Sequence, residues 1–278
     1  MKSLTLIAVL ILAGHVAFAQ NESLIEKTHQ KGKLYFYWGW NRGWYTTSDI
    51  GFQGADYDFT LTNVIAKDRQ TPFTLNDYLN PTMITIPQYN FRVGYFINDH
   101  YDISFGVDHM KYVVEQGQTV EISGYISGTE TTYDGTYDND NIVIEEGFLL
   151  FEHTDGLNYL NVEFRRFDNI FDFNKVKINL TEGFGIGALM PKTNATLLNN
   201  ERHDDFHLAG WGMGAVVGIN ITFFDVFFIQ SELKGGFISM PDIRTTMYSA
   251  DRASQNFYYS QLNILFGVII NLQKKEAA

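Results

Sequence analysis

Apolar and polar side chains alternate along most of this chain with a period of two. Over 210–223 the odd positions are Trp211, Met213, Ala215, Val217, Ile219, Ile221 and Phe223, and the even ones include Gly210, Gly212, Gly214, Gly218, Asn220 and Thr222. Side chains two apart share one face of a strand, so the segment predicts a β-strand with one greasy face and one small, polar face. In 89–97, Tyr89, Phe91, Val93, Tyr95 and Ile97 oppose Asn90, Arg92 and Gly94; in 261–272, Leu262, Ile264, Phe266, Val268, Ile270 and Leu272 oppose Gln261, Asn263, Gly267 and Asn271. The split recurs in 33–41, 101–108, 158–165, 175–188 and 227–234. Eight spanning strands are expected, at about 33–45, 89–98, 100–113, 157–167, 173–190, 206–223, 227–238 and 256–272.

A soluble sandwich alternates too, with its apolar face turned inward. Here the apolar faces run nearly unbroken over about ten residues, the length that crosses a bilayer at a tilt. The other face holds Gly, Asn and mixed charges, which suits a crowded polar lumen. Short connections (98–100, 224–226 and the turn with Asp168, Asn169 and Asp172) alternate with long ones (46–88, 114–156, 191–205 and 239–256). Tight periplasmic turns and long external loops give that asymmetry. All five prolines fall in the long connections, where no central ladder needs their missing N–H. The expected fold is therefore all-β: a transmembrane antiparallel up-and-down β-barrel of eight strands with long external loops. Strand-like stretches at 57–65, 119–127 and 142–150 are expected as hairpins above the membrane; if they entered the bilayer, the count would rise to ten or twelve.

Lys2, an apolar run over 4–13 and Ala17-Phe18-Ala19 form the three-part pattern of a secretory signal peptide at 1–19. Residues 20–278 then make one barrel domain, exported to the cell outer membrane. Composition narrows the rest. Charged residues are 19% of the chain, below the roughly 25% of soluble domains. The absence of cysteine excludes a disulfide scaffold or a thiolate metal site. A net charge of -12 argues against nucleic acid, which is bound through cationic side chains.

In this pattern the chain resembles the small, porin-like or eight-stranded outer-membrane β-barrels of Gram-negative bacteria. The resemblance implies interfacial aromatic girdles, for which Trp38, Trp40, Trp44, Tyr45, Tyr258 and Tyr259 are placed near strand ends. It also implies outer-membrane lipid and other cell-surface proteins as partners.

Eight strands enclose an interior that side chains just fill. Arg92, Asp102, Asp108, Glu163, Arg165, Lys177, Glu232 and Lys234 have lumen parity and are expected to pair, because an unpaired buried charge is costly. Glu182 shares the parity of the apolar face, with Ile178, Leu180, Phe184 and Ile186. A bulge helped by Gly183 and Gly185 is expected to turn it inward toward Lys234 or Arg165. His109, His153 and Asp155 could meet at the outer rim, where imidazole and carboxylate would suit hydrolysis of a lipid acyl chain. Some barrels that this one resembles remove acyl chains from lipopolysaccharide. No Ser partner and no Gly-x-Ser-x-Gly accompanies them, so no catalytic residue is assigned. The acidic loops around Asp134–Asn141 and Glu201–His207 do not match the spacing of an EF-hand, and neither metal nor cofactor is assigned. Three functions stay open: a structural or interaction barrel displaying its loops, a narrow channel for small solutes, and an outer-leaflet lipid acyl hydrolase.

Overall fold

The computed structural model describes residues 30–272 apart from Pro81, Ile84 and Thr85, so the signal-peptide pattern lies outside the described residues. Strands are numbered in chain order. Eight of them form a closed antiparallel ring: β1 (Lys33–Tyr45), β5 (Tyr89–Phe96), β6 (Tyr101–Asp108), β11 (Tyr159–Asp172), β12 (Val176–Leu189), β14 (Gly210–Phe223), β15 (Phe227–Arg244) and β16 (Arg252–Asn271). Pairing of β16 with β1, from Lys33↔Asn271 to Tyr45↔Tyr259, shuts the ring. Closure removes the free edges that lipid cannot hydrogen-bond, which is why a sheet crosses a membrane only as a barrel.

The two faces are distributed as lipid demands. Phe36, Phe91, Phe105, Val162, Phe184, Ile219, Leu233 and Phe266 point outward and are exposed, while Asn41, Arg92, Glu163, Arg165, Asn220 and Lys234 point inward and are buried. Water would favour the reverse. Where β5 stops, side chains complete the exposed edge of β1. The Gly43 amide donates to Asp68 at 2.8 Å and Gln70 donates to the Asn41 carbonyl at 3.3 Å.

The long connections build a second layer above the ring. β2 (Ser48–Gln53), β3 (Tyr57–Val64), β8 (Thr119–Ile126) and β9 (Gly135–Val143) extend one sheet sideways from the upper end of β16. Opposite lies a smaller sheet of β4 (Ala66–Lys67), β7 (Tyr112–Val114), β10 (Leu149–His153) and β13 (Asn194–Leu197). Alternation aims Phe52, Phe59, Leu61 and Ile122 from the first sheet at Tyr112, Leu149, Phe151 and Leu197 from the second. This core continues without a break into the barrel rim through Tyr159, Leu189, Ile238, Phe257 and Tyr259. Burying each large apolar side chain contributes about 1.5–3 kcal/mol, so the external layer is a packed dome and not a set of separate hairpins.

Several expectations change accordingly. The stretch 142–150 is split between the ends of β9 and β10, one in each sheet. The supposed loop at 239–256 is mostly strand, since β15 and β16 run on to Arg244↔Arg252; Pro241 sits where the register shifts between Met240 and Ile243. Tyr45 and Tyr259 leave the girdle. They have inward parity, and Tyr45 stacks edge-on against Tyr112 and Phe257 in the dome core. Trp38, Trp40, Trp44 and Tyr258 remain on the outer face by the same alternation.

Replacing Ile219 by Arg should destabilise the barrel by about 2–4 kcal/mol if the position lies near the membrane midplane, whereas Ile219→Leu should change little. Urea unfolding in lipid vesicles measures both; equal tolerance of Arg and Leu would contradict the outward placement of this face.

Candidate functional site

Midway along the lumen, three strands converge on one carboxylate. Glu163 of β11 accepts from Arg92 of β5 at 2.9 Å, from Arg165 of β11 at 2.6 Å and from Lys234 of β15 at 2.6 Å. Around it the remaining groups are shared out. Arg165 also pairs with Glu232, and Lys234 with Asp108. Tyr37 of β1 accepts from Arg92 at 2.9 Å and from Arg165 at 3.0 Å. Tyr35 donates to Asp102 at 2.7 Å. All seven charged side chains are at most 3% exposed. Three cations thus face four carboxylates in a space almost closed to solvent. Such a set persists only because nearly every donor and acceptor is engaged.

The lumen is closed above and below this layer. Toward the end with the short turns, Tyr35, Tyr37, Phe96, Phe167, Phe228, Leu265 and Ile269 form an apolar cluster. Beside it runs a ladder of amides, from Asn169 to Asn179 at 3.0 Å, Asn179 to Asn220 at 3.0 Å and Asn220 to Gln230 at 2.7 Å. Toward the outside stands the dome core. Between the layers lies a cavity of about 20 Å³ lined by Tyr35, Asp102, Arg165, Thr181 and Gln230 among others, room for about one water.

Lys177 is not in this network. It lies at the mouth on the short-turn side, 2.9 Å from Asp225 and 3.4 Å from Asp172. Glu182 is not in the lumen at all. β12 keeps regular register through it, opposite Arg166 on one side and Val217 on the other, with no bulge. It therefore stays on the outer face, where its charge acts on Arg166, and Arg166 in turn lies 2.5 Å from Asp168. The two glycines serve a different purpose from the one expected. A Cβ at Gly183 would meet Arg165 at 2.7 Å, and one at Gly185 would meet Glu163 at 2.5 Å. They clear the wall against which those two side chains lie.

The rim trio is also separated. His153 is fully buried in the dome, against the rings of Tyr112 and Phe151. Gln255 donates to its Nε2 at 3.2 Å, which leaves Nδ1–H to donate to Thr193 at 3.0 Å. Burial lowers its pKa to about 3, so the ring is neutral. Asp155, two residues on, is exposed and pairs with Lys192 at 3.2 Å. His109 stacks on Tyr89 and bonds Asn158 at 2.8 Å through Nδ1. The three do not assemble a base, an orienting acid and a nucleophile. Among the described residues, no group of three or more His, Cys, Asp or Glu is arranged to hold a metal. The alternation did not single out the hydroxyls of Tyr35 and Tyr37 as members of the charge network, although both share lumen parity with Asn41.

No protein-family model matches the chain, and no curated protein matches it in sequence. Among solved structures it is similar to Ail, the attachment invasion locus protein of Yersinia pestis. The identity is 8% and the TM-score 0.35, over 86% of this chain and 99% of that one. Ail has also been crystallised in complex with the heparin analogue sucrose octasulfate. Neisserial surface protein A is 10% identical with a TM-score of 0.33, over 87% of this chain and 100% of that one. The outer-membrane protease OmpT of Escherichia coli is 6% identical with a TM-score of 0.22, over 86% and 96%. Ring closure, the apolar outer belt and the charged interior define this chain as an eight-stranded transmembrane β-barrel.

Two outcomes follow from the buried groups. Glu163→Leu leaves three cations competing for the remaining carboxylates and should cost about 3–5 kcal/mol in urea unfolding, far more than Glu201→Leu in an exposed loop. His153 contributes through its lowered pKa: the unfolded chain takes up a proton below about pH 6.5 while the folded one does not. Stability of the dome should therefore fall by roughly 1.4 kcal/mol per pH unit from about pH 6 toward pH 4. Protease protection of the dome reads this, and His153→Leu should flatten that part of the slope.

Proposed function

We propose that the protein is a non-conducting membrane anchor whose product is the dome it holds outside the cell, an interaction module rather than a pore or an enzyme. The observation that carries this reading is the layered closure of the lumen: apolar cluster, ion-pair network, then dome core. An ion entering from either end would have to leave water for an apolar seal before reaching the central charges, and transfer of an ion into such a medium is expensive. The scattered placement of His109, His153 and Asp155 supports setting the hydrolase aside.

Two features of the dome suit it to binding. β9 is the last strand of the long sheet and pairs only with β8, so its outer edge offers backbone donors and acceptors to an added strand. The solvent face of that sheet carries Asp49, Asp58, Glu121 and Asp138, all exposed. That charge favours a cationic or neutral protein surface on a neighbouring cell or envelope, and repels a polyanion. The pattern at 1–19 supports delivery by a signal peptide, with 20–278 as the exported unit.

Planar-bilayer recording is the test. The purified protein should insert without conductance steps at moderate voltage, and lipid A from cells expressing it should keep its acyl mass profile. Regular, ion-selective steps from the wild-type protein would replace the proposal with a channel, and loss of an acyl chain would replace it with an enzyme.

A further inference from the structure

The connection between β4 and β5 carries the short helix α1 (Leu75–Leu79), which touches the outer wall of the barrel through Tyr78 and Trp40. Thr74 caps the helix by accepting from the Asp77 amide at 3.0 Å. The spacing of Leu75, Tyr78 and Leu79 gives one apolar side, and Asn76, Asp77 and Asn80 give a polar one. Tyr78 is the attachment. Its ring centroid lies 5.4 Å from that of Trp40, an outward residue of β1 that itself packs on Phe266 at 5.5 Å. Phe73 packs on Tyr78 at 5.1 Å. These contacts make the segment continuous with the belt that meets lipid.

Phe73, Leu75 and Leu79 are then left pointing away from the protein, 74%, 68% and 63% exposed. Phe184 and Ile186, in the belt itself, are 66% and 60% exposed. Side chains this bare beside a lipid-facing wall call for the same cover. The level along the wall agrees. Two residues above Trp40, the Arg42 guanidinium lies 5.5 Å over the Trp44 ring, and the Lys111 ammonium donates to the Ile86 carbonyl at 3.2 Å on the segment's return. Cations and indoles collect where acyl chains give way to headgroups.

We propose that residues 73–79 form a lip immersed in the external leaflet, with Phe73, Leu75 and Leu79 among the acyl chains and the Asn76 side turned to the headgroups. The partner is bilayer lipid, and the lip extends the barrel's grip on that leaflet beyond the strands. This rests on the barrel reading, and the experiment separates the two.

The chain has no cysteine, so single nitroxide labels can be placed without further changes. Leu75→Cys, Leu79→Cys and Asn76→Cys are labelled and reconstituted in phosphatidylcholine vesicles, with Ile264→Cys as the belt reference and Tyr248→Cys as the dome reference. Only variants that keep the heat-dependent gel shift of a folded barrel are compared. Collision with oxygen and with a water-soluble nickel chelate is then measured by electron paramagnetic resonance. The oxygen-to-nickel ratio at 75 and 79 should match Ile264 and exceed Tyr248 several-fold, while Asn76 should fall nearer Tyr248. A ratio at 75 and 79 like that of Tyr248 places the lip in water and overturns the proposal. Labels there that are immobilised and reached by neither reagent show a protein cover and overturn it equally. If Ile264 itself reports water, the barrel reading fails as well.

Discussion

Three cations share the Glu163 carboxylate, and much of the lumen is arranged around that fact. The Glu163 oxygens take Arg92, Arg165 and Lys234 from three strands, so Asp108 and Glu232 are recruited to carry the excess positive charge. Tyr37 bridges the two guanidinium groups. Gly183 and Gly185 stay bare because the stems of Arg165 and Glu163 occupy the space where side chains would be. A buried network of this kind adds little net stability compared with an apolar fill. What it does supply is register: slipping β11 by one residue would turn Glu163 and Arg165 to lipid and Phe164 into the charges.

The dome depends on the barrel in a more ordinary way, through apolar area. Its core and the rim of the ring are one cluster, so Tyr159, Leu189, Phe257 and Tyr259 belong to both. That continuity makes the dome rigid enough to hold a neutral histidine in its interior, with both ring nitrogens bonded. It also means that the external surface is set by the sheets beneath it and not by loop flexibility.

Most of the barrel was legible from alternation because lipid on one side and a tight lumen on the other impose the same period on every strand. The dome was legible only in part: 57–65 and 119–127 stood out as strand-like and form β3 and β8, but β2 covers only Ser48–Gln53, too few residues to stand out from a loop. Parity was correct at Glu182, and the expectation that overrode it was not. The side chain does face outward, and the bulge invoked to rescue it was unnecessary because Arg166 lies opposite on the neighbouring strand. Sequence proximity misled at the rim. His153 ends a dome strand with its side chain in the core, and the turn through Gly156 at φ 119° lies just beyond Asp155, which faces solvent.

β16 pairs with β15 along its length, with β1 below and with β2 above. The same strand thus closes the cylinder and carries the first strand of the long dome sheet. β1 and β16 lie at opposite ends of the described chain, so their union is among the contacts of greatest sequence separation and of highest loop-closure entropy. β2 hangs on the upper end of β16 through Arg252↔Gln53 to Gln255↔Ile50, so a change that displaces β16 loosens the outer sheet together with the seam.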